Sequence, residues 1–172
     1  MKDGLIGEFW DNGKLRKRYN LNKEGKKQDL EEGFYKNGKL RSSRNYKDNK
    51  LEGLWEYHYN GGQLRFSRNY QNGKKDGLCK NYWYNGELDT IQNYKNGKKD
   101  GLYEWYLSGR LLLKGNYKND KLDGLWEGYD EDGQLRVRDY YKDGIEDGPW
   151  EYYDEEGNLT KTEEWKNGKL IK

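Results

Sequence analysis

The sequence predicts an all-β protein, an elongated antiparallel β-meander of about seven hairpin repeats, forming a thin single-layer or loosely rolled sheet. Three observations predict it. The first is a column of glycines about 24 residues apart, at Gly13, Gly38, Gly62, Gly86, Gly109, Gly133 and Gly157, and a fixed period of that size signals a repeat architecture. A leucine follows two residues after each glycine, from Leu15 and Leu40 to Leu159, and an aromatic residue closes each unit, from Tyr19 and Tyr46 to Trp165. The second is the recurrence of Asn-Gly and Asp-Gly between short aromatic runs, because these residues tolerate the positive φ of hairpin turns. The third is composition. Only 31% of the residues are hydrophobic and 37% are charged, too little apolar surface for a thick core, while 16% are aromatic, too many for a disordered chain.

The elements follow from one unit, Asn72 to Tyr94. Asn72-Gly73 is a turn signal that Lys74-Lys75-Asp76-Gly77 extends. Leu78 to Tyr84 reads as a first strand, Asn85-Gly86 as a second turn, and Leu88 to Tyr94 as a second strand. An even spacing places Leu88 and Tyr94 on one face. In Gly53 to Tyr59, alternation places Trp55, Tyr57 and Tyr59 on one face and Leu54, Glu56 and His58 on the other. No long segment carries a 3.6-residue apolar period, which argues against helix. The second unit is irregular. Three extra residues fall between Tyr19 and Asp29, and Gln28-Asp29 stands where Asp-Gly is expected. A bulge or longer loop is expected over residues 20–33, with a local break in the sheet as a further expectation. The whole chain, 1–172, reads as a single array.

Chemistry is constrained by what is scarce. With one cysteine, Cys79, no intramolecular disulfide forms, and its column is otherwise filled by Trp55, Tyr103, Trp126 and Trp150, so it reads as a packing substitution. His58, the single histidine, stands in a column of Phe9, Phe34, Tyr82, Tyr106, Tyr129 and Tyr153 and reads as an aromatic stand-in. One histidine and one cysteine cannot assemble a zinc site or a Ser-His-Asp triad. No metal ligands, cofactor or catalytic residues are assigned, and the expectation is a protein without enzymatic activity. The acidic turns Asp130-Glu131-Asp132-Gly133 and Asp154-Glu155-Glu156-Gly157 lack a calcium-binding loop and read as solvated turns. The acid before the turn glycine (Glu52, Asp76, Asp100, Asp123, Asp147) recurs too often for a site, so a turn-stabilising role is expected.

Net charge is +2, but residues 1–86 carry 19 basic and 11 acidic residues while residues 87–172 carry 14 and 20. Such polarity suggests an anionic partner at one end or head-to-tail self-association. The apolar runs are too short to span a membrane as a helix. Met1-Lys2-Asp3-Gly4 is in frame with the Lys-Asp-Gly of later units. The localisation stays open: a leader or anchor removed ahead of this motif would make the protein exported or surface-anchored. A native Met1 would place it in the cytoplasm.

Asn-Gly-Lys-x-Asp-Gly-x-Trp-x-x-Tyr, then Asn-Gly-x-Leu and a closing Tyr, resembles the bacterial variant of the MORN repeat. The clearest copies are Asn72 to Tyr94, Asn96 to Tyr117 and Gly124 to Tyr141. The similarity is especially close to YwqK-type antitoxins of toxin–antitoxin systems. This implies a non-catalytic protein-binding module built of antiparallel hairpins, with another protein, a toxin, as partner. Trp55, Tyr57, Trp83, Tyr103, Trp105, Trp126 and Trp150 are the candidate partner contacts, since aromatic residues dominate binding hot spots. Most of them serve equally well as core, and burial separates the two uses. Arg16, Arg18, Arg41, Arg44, Arg65 and Arg68 are candidate anion contacts interleaved with aromatic residues, the pattern of single-stranded nucleic-acid or anionic-lipid binding. Against that stands a solvated charged face. Glycan or choline binding on stacked rings at a cell surface is a further alternative. Self-association through open sheet ends is a third mode of partnership.

Overall fold

The computed structural model describes residues 4–172, so the Met1–Asp3 part of the opening motif lies outside the described residues. Among them there are seventeen strands and no helix, and every pairing is antiparallel. The chain divides into two compact units, one ending at Glu87 and one beginning at Leu88. The first contains β1 (Gly4–Phe9), β2 (Leu15–Leu21), β3 (Lys27–Phe34), β4 (Leu40–Lys47), β5 (Lys50–His58), β6 (Leu64–Gln71) and β7 (Lys74–Tyr82), each paired with the next. The second contains β8 (Leu88–Lys95), β9 (Lys98–Leu107), β10 (Arg110–Lys118), β11 (Lys121–Leu122), β12 (Gly124–Tyr129), β13 (Leu135–Lys142), β14 (Ile145–Glu146), β15 (Gly148–Tyr153), β16 (Leu159–Lys166) and β17 (Lys169–Leu170). There β11 with β12, and β14 with β15, are single strands interrupted at Asp123 and Asp147. The meander of hairpins is the architecture that the repeat predicts.

Two kinds of turn alternate. The glycine column closes three-residue loops: Trp10 N–H donates to Lys14 O (2.8 Å) and Gly13 N–H to Trp10 O (2.9 Å), a pattern repeated at Tyr35, Tyr59, Trp83, Asp130 and Asp154. An Asn or Asp side chain caps these loops. Asp154 Oδ1 accepts from Glu156 N (3.1 Å) and Asn158 N (2.7 Å), and Asn37 Oδ1 accepts from Lys39 N (2.9 Å). The acidic turns therefore use carboxylate oxygen on their own backbone. The other turns have two residues with positive φ, as at Asn72-Gly73 (51° and 81°) and Asp143-Gly144 (53° and 86°), the type I′ geometry whose twist matches that of the strands. Asp48-Asn49 and Asn119-Asp120 adopt it without glycine. The glycine column's Gly109 belongs to this class, with Ser108.

Three local expectations are corrected. Lys74 to Gly77 does not extend a turn but lies in β7. Arg68 pairs with Cys79 and Tyr70 with Lys75, leaving Asp76, Gly77 and Leu78 opposite Asn69 alone, a bulge in which Gly77 takes φ 94°. The same bulge sets Glu52-Gly53-Leu54 opposite Asn45 and Asp100-Gly101-Leu102 opposite Asn93. Residues 20–33 do contain a bulge, at Asp29-Leu30-Glu31, where Asp29 itself takes φ 60°. There is no break: Asn20–Gln28 and Leu21–Lys27 continue the pairing. Leucine and closing aromatic do not share a face. His58 pairs with Leu64 and Tyr57 with Phe66, so Arg65 is an inserted bulge residue that reverses the alternation between Leu64 and Tyr70. Arg16 and Arg41 are inserted in the same way.

Successive repeats are tied at both kinds of turn. Tyr35 OH donates to His58 O (2.6 Å), Tyr59 OH to Tyr82 O (3.1 Å), and Trp10 Nε1 to Phe34 O (3.2 Å). At the type I′ turns, Gly73 N–H donates to Leu51 O (2.8 Å) and Gly144 N–H to Leu122 O (2.8 Å). The recurring acid has the structural use expected, but in the neighbouring repeat: Glu52 Oε2 accepts from Asn72 N (2.8 Å) and Asp147 Oδ2 from Asn167 N (3.4 Å). These bonds satisfy turn-tip amides that would otherwise need water.

Candidate functional site: the aromatic face

Each unit presents one aromatic-rich face, and its side chains are set by the pairing above. In the first unit, Trp55 and Tyr57 on β5 meet Phe66 and Tyr70 on β6. Trp55 lies edge-on to Phe66 at 5.2 Å and tilted to Tyr70 at 5.8 Å, and Tyr57 stacks on Phe66 at 5.4 Å. Cations lie over these rings: the Arg44 guanidinium 5.2 Å from Trp55 and the Arg68 guanidinium 3.9 Å from Phe66. One end of the row is anchored by Glu31, which is 2% exposed and held by Lys27 (2.5 Å), Arg44 (2.9 Å) and Lys17 (3.3 Å). Burial by itself raises the Glu31 carboxyl, but the hydrogen bond from Lys27 and the charges of Arg44, Lys27 and Lys17 outweigh it and hold the group below its ordinary value. The Cys79 side chain is buried in this row, and burial pushes its thiol up, away from reactivity.

In the second unit, Tyr103 on β9, Tyr117 on β10 and Trp126 on β12 form a triangle with ring separations of 5.3–5.9 Å. Trp126 is 5% exposed, donates from Nε1 to Asn116 O (3.1 Å), and lies so close over Gly115 that a Cβ there would come 2.2 Å from its ring. Further along, Trp150 is 6.0 Å from Tyr141 and 5.1 Å from Trp165. Asp139 lies on the same face. It pairs with Trp126, and β15 beside it pairs Tyr152 with Val137. Burial pushes its carboxyl up to about 6. The opposite face of this unit carries an ionic ladder, with Glu127 held by Lys114 (2.8 Å) and Arg138 (3.0 Å), and Tyr129 donating to it (3.1 Å).

The predicted partner contacts therefore divide. Trp126 is core. Trp55, Tyr57, Tyr103, Trp105 and Trp150 are half-buried, and Trp83, at a turn, is 43% exposed. The six arginines do not form one surface. Arg18 pairs with Glu32 on the face away from Arg44, which is bound to Glu31, while Arg16 lies over Trp10 (5.2 Å) and Arg65 over Tyr59 (5.5 Å). Among the described residues, Arg16, Arg41, Arg65 and Arg68 make no ion pair. His58 has a buried Nδ1 without a hydrogen-bond partner, and no group of three His, Cys, Asp or Glu side chains among the described residues could hold a metal ion. Asp139 was not legible as a site. The available signal is its column, which reads Arg44, Arg68, Gln92, Gly115, Asp139 and Glu163 and changes charge from one unit to the other.

Fold and face together define a β-hairpin repeat protein whose recurring chemistry is structural, with aromatic rows on the sheet surface. The chain belongs to the MORN repeat variant family: its model matches residues 30–48, 51–72, 75–96, 122–143 and 146–171. The family's repeats are generally non-enzymatic modules. The unmatched stretch between the third and fourth matches contains the Ser108-Gly109 turn, where a two-residue loop replaces the usual three. A comparison with curated protein sequences gives no match.

Proposed function

We propose that this chain is a non-catalytic binding module whose ligand is another protein, and that the aromatic face is its contact surface. The reading is carried by the half-buried row Trp55, Tyr57, Phe66 and Tyr70, interleaved with Arg44 and Arg68. Trp, Tyr and Arg supply most interface hot spots because they bury large areas with few rotamers to freeze. The particular form proposed is antitoxin-like, with a toxin protein as the partner, and its support is the resemblance of the repeats to YwqK-type antitoxins. The test is affinity capture from source-cell lysate at low and high salt, using wild type and a Trp55→Ala/Tyr57→Ala variant, followed by titration with the purified partner. A single protein held at both salts by wild type and released by the variant supports the reading. Identical capture by both chains overturns the assignment of the face.

A second reading is favoured by one observation: Arg16, Arg41, Arg65 and Arg68 are free of ion pairs among the described residues. An anionic lipid or nucleic acid would use them, and its retention would fall steeply with salt.

A further inference from the structure

The strongest unexplained group on the aromatic faces is Asp139. Its Oδ1 is buried and has no hydrogen-bond partner, and Trp150 Nε1 nearby is in the same condition. Among the described residues no cation pairs with Asp139. Arg138, next in sequence, faces the other way and binds Glu127 (3.0 Å). Arg136 binds Asp130 (2.6 Å), and Lys161 binds Glu163 (2.5 Å). The surroundings are aromatic: Trp126 on the paired strand, Tyr141 two residues along, and Trp150 and Tyr152 on β15. The charge of Asp139 is felt by both tyrosines. Burial, then Asp139, then Glu146 push Tyr141 up to about 12, and Tyr152 is raised by burial and Glu163 with a smaller contribution from Asp139.

The first unit shows what the same column looks like when it is complete. Arg44 stands four residues after Leu40, as Asp139 stands four after Leu135. Its guanidinium lies 5.2 Å from the Trp55 ring and its Nε 2.9 Å from the Glu31 carboxylate. Carboxylate, indole and guanidinium are all present. Around Asp139 the carboxylate and indoles are present and the guanidinium is missing. Tyr152 is already covered by the Lys161 ammonium, 5.2 Å from its ring. We propose that Asp139, with Trp150 and Tyr141 around it, is a socket for a guanidinium, filled by an arginine side chain of a partner protein. Arginine suits it better than lysine because a planar guanidinium can stack on a ring and bond a carboxylate at once. The field favours the same occupant: residues 88–172 carry 14 basic and 19 acidic side chains. The inference rests on the protein-binding reading and supplies the chemistry of the partner.

The experiment titrates the full chain with a short peptide carrying two arginines, with its citrulline counterpart and with choline, following indole resonances and tryptophan fluorescence. The arginine peptide is expected to shift the Trp150 signals and to bind about tenfold or more tighter than the citrulline peptide, one lost charge-assisted contact being worth about that factor. Asp139→Asn and Trp150→Leu are expected to weaken it by about the same factor. Glu155→Gln, which removes one negative charge at an exposed turn, is expected to change binding less than about twofold. Strand circular dichroism and melting show that each variant is folded. Equal binding of arginine and citrulline peptides, or an Asp139→Asn variant that binds as wild type does, overturns the socket. Choline binding as tightly as the arginine peptide overturns the choice of a protein side chain. If the peptide fails while lysate capture yields a partner that needs Trp55 and Tyr57, the socket falls and the binding module stands. If both fail, both fall.

Discussion

At the scale of single residues, the face depends on which side chain stands between the rings. In the first unit that place holds Arg44 and Arg68, over Trp55 and Phe66. In the second it holds Gly115, onto which Trp126 collapses, and then Asp139. Gly115→Ala would drive a methyl into the indole, and because Trp126 is walled in by Tyr103 and Tyr117 it has no room to retreat. A loss of roughly 2–3 kcal/mol is expected, read by urea unfolding. Asp139 carries the opposite lesson. Its carboxyl is raised from 3.8 to about 6 in the folded chain, so the folded state binds the proton more tightly than the unfolded one. Stability therefore falls as pH rises from the unfolded value toward the folded one, and the penalty is complete above it. Asp139→Asn removes the titrating charge. It should stabilise the protein at pH 8 by about 1–2 kcal/mol, allowing for partial exposure, with the gain shrinking toward zero near pH 4. A melting series against pH in both chains checks this, and an equal gain at all pH values would assign it to packing instead.

At the scale of elements, the hairpins are held by backbone geometry more than by apolar burial. Gly73 takes φ 81° and its amide donates to Leu51 O in the preceding repeat. Gly73→Ala should cost about 1–2 kcal/mol by forcing an L side chain into the left-handed region. Thermal melting measures it. The bulge beside each turn shows why the acid-glycine pair recurs: glycine supplies the positive φ, and the acid reaches the next turn's amide, as Glu52 reaches Asn72 at 2.8 Å. Recurrence was legible in the sequence, but its location was not. Asp-Gly has the same signature in a turn as in a bulge, and only the pairing of Arg68 with Cys79 and Tyr70 with Lys75 tells them apart. The inserted Arg16, Arg41 and Arg65 moved the leucines to the other face for the same reason, since one extra residue reverses a period of two.

At the scale of the whole molecule, a repeat protein holds its stability in contacts between neighbours. Glu31 is an instructive case, because one carboxylate joins Lys17 on β2, Lys27 on β3 and Arg44 on β4. Its carboxyl lies below its ordinary value, so the stability it contributes is present above the unfolded value near 4.5 and is lost as pH falls through the folded one. Glu31→Gln should destabilise by about 3 kcal/mol at pH 7 and flatten the acid limb of the stability curve. Hydrogen exchange should show faster opening in β2 to β4 with little change in β12 to β16. Uniform loss of protection across the chain would mean that the repeats unfold as one cooperative body.

The sequence by itself determined the period, the hairpin as the repeating element, the places of the Asn-Gly turns and the lack of a thick apolar core, because glycine, asparagine and aromatic spacing report local backbone preferences directly. Cys79 and His58 were readable as members of aromatic columns for the same reason. Only the tertiary structure decided which faces the columns occupy, that Trp126 is core while Trp83 is exposed, which arginines are spent on Glu31 and Glu32, and that Asp139 has no cation partner among the described residues. Those outcomes depend on bulges that change strand parity and on partners from neighbouring strands, and neither is encoded in the spacing of any single repeat.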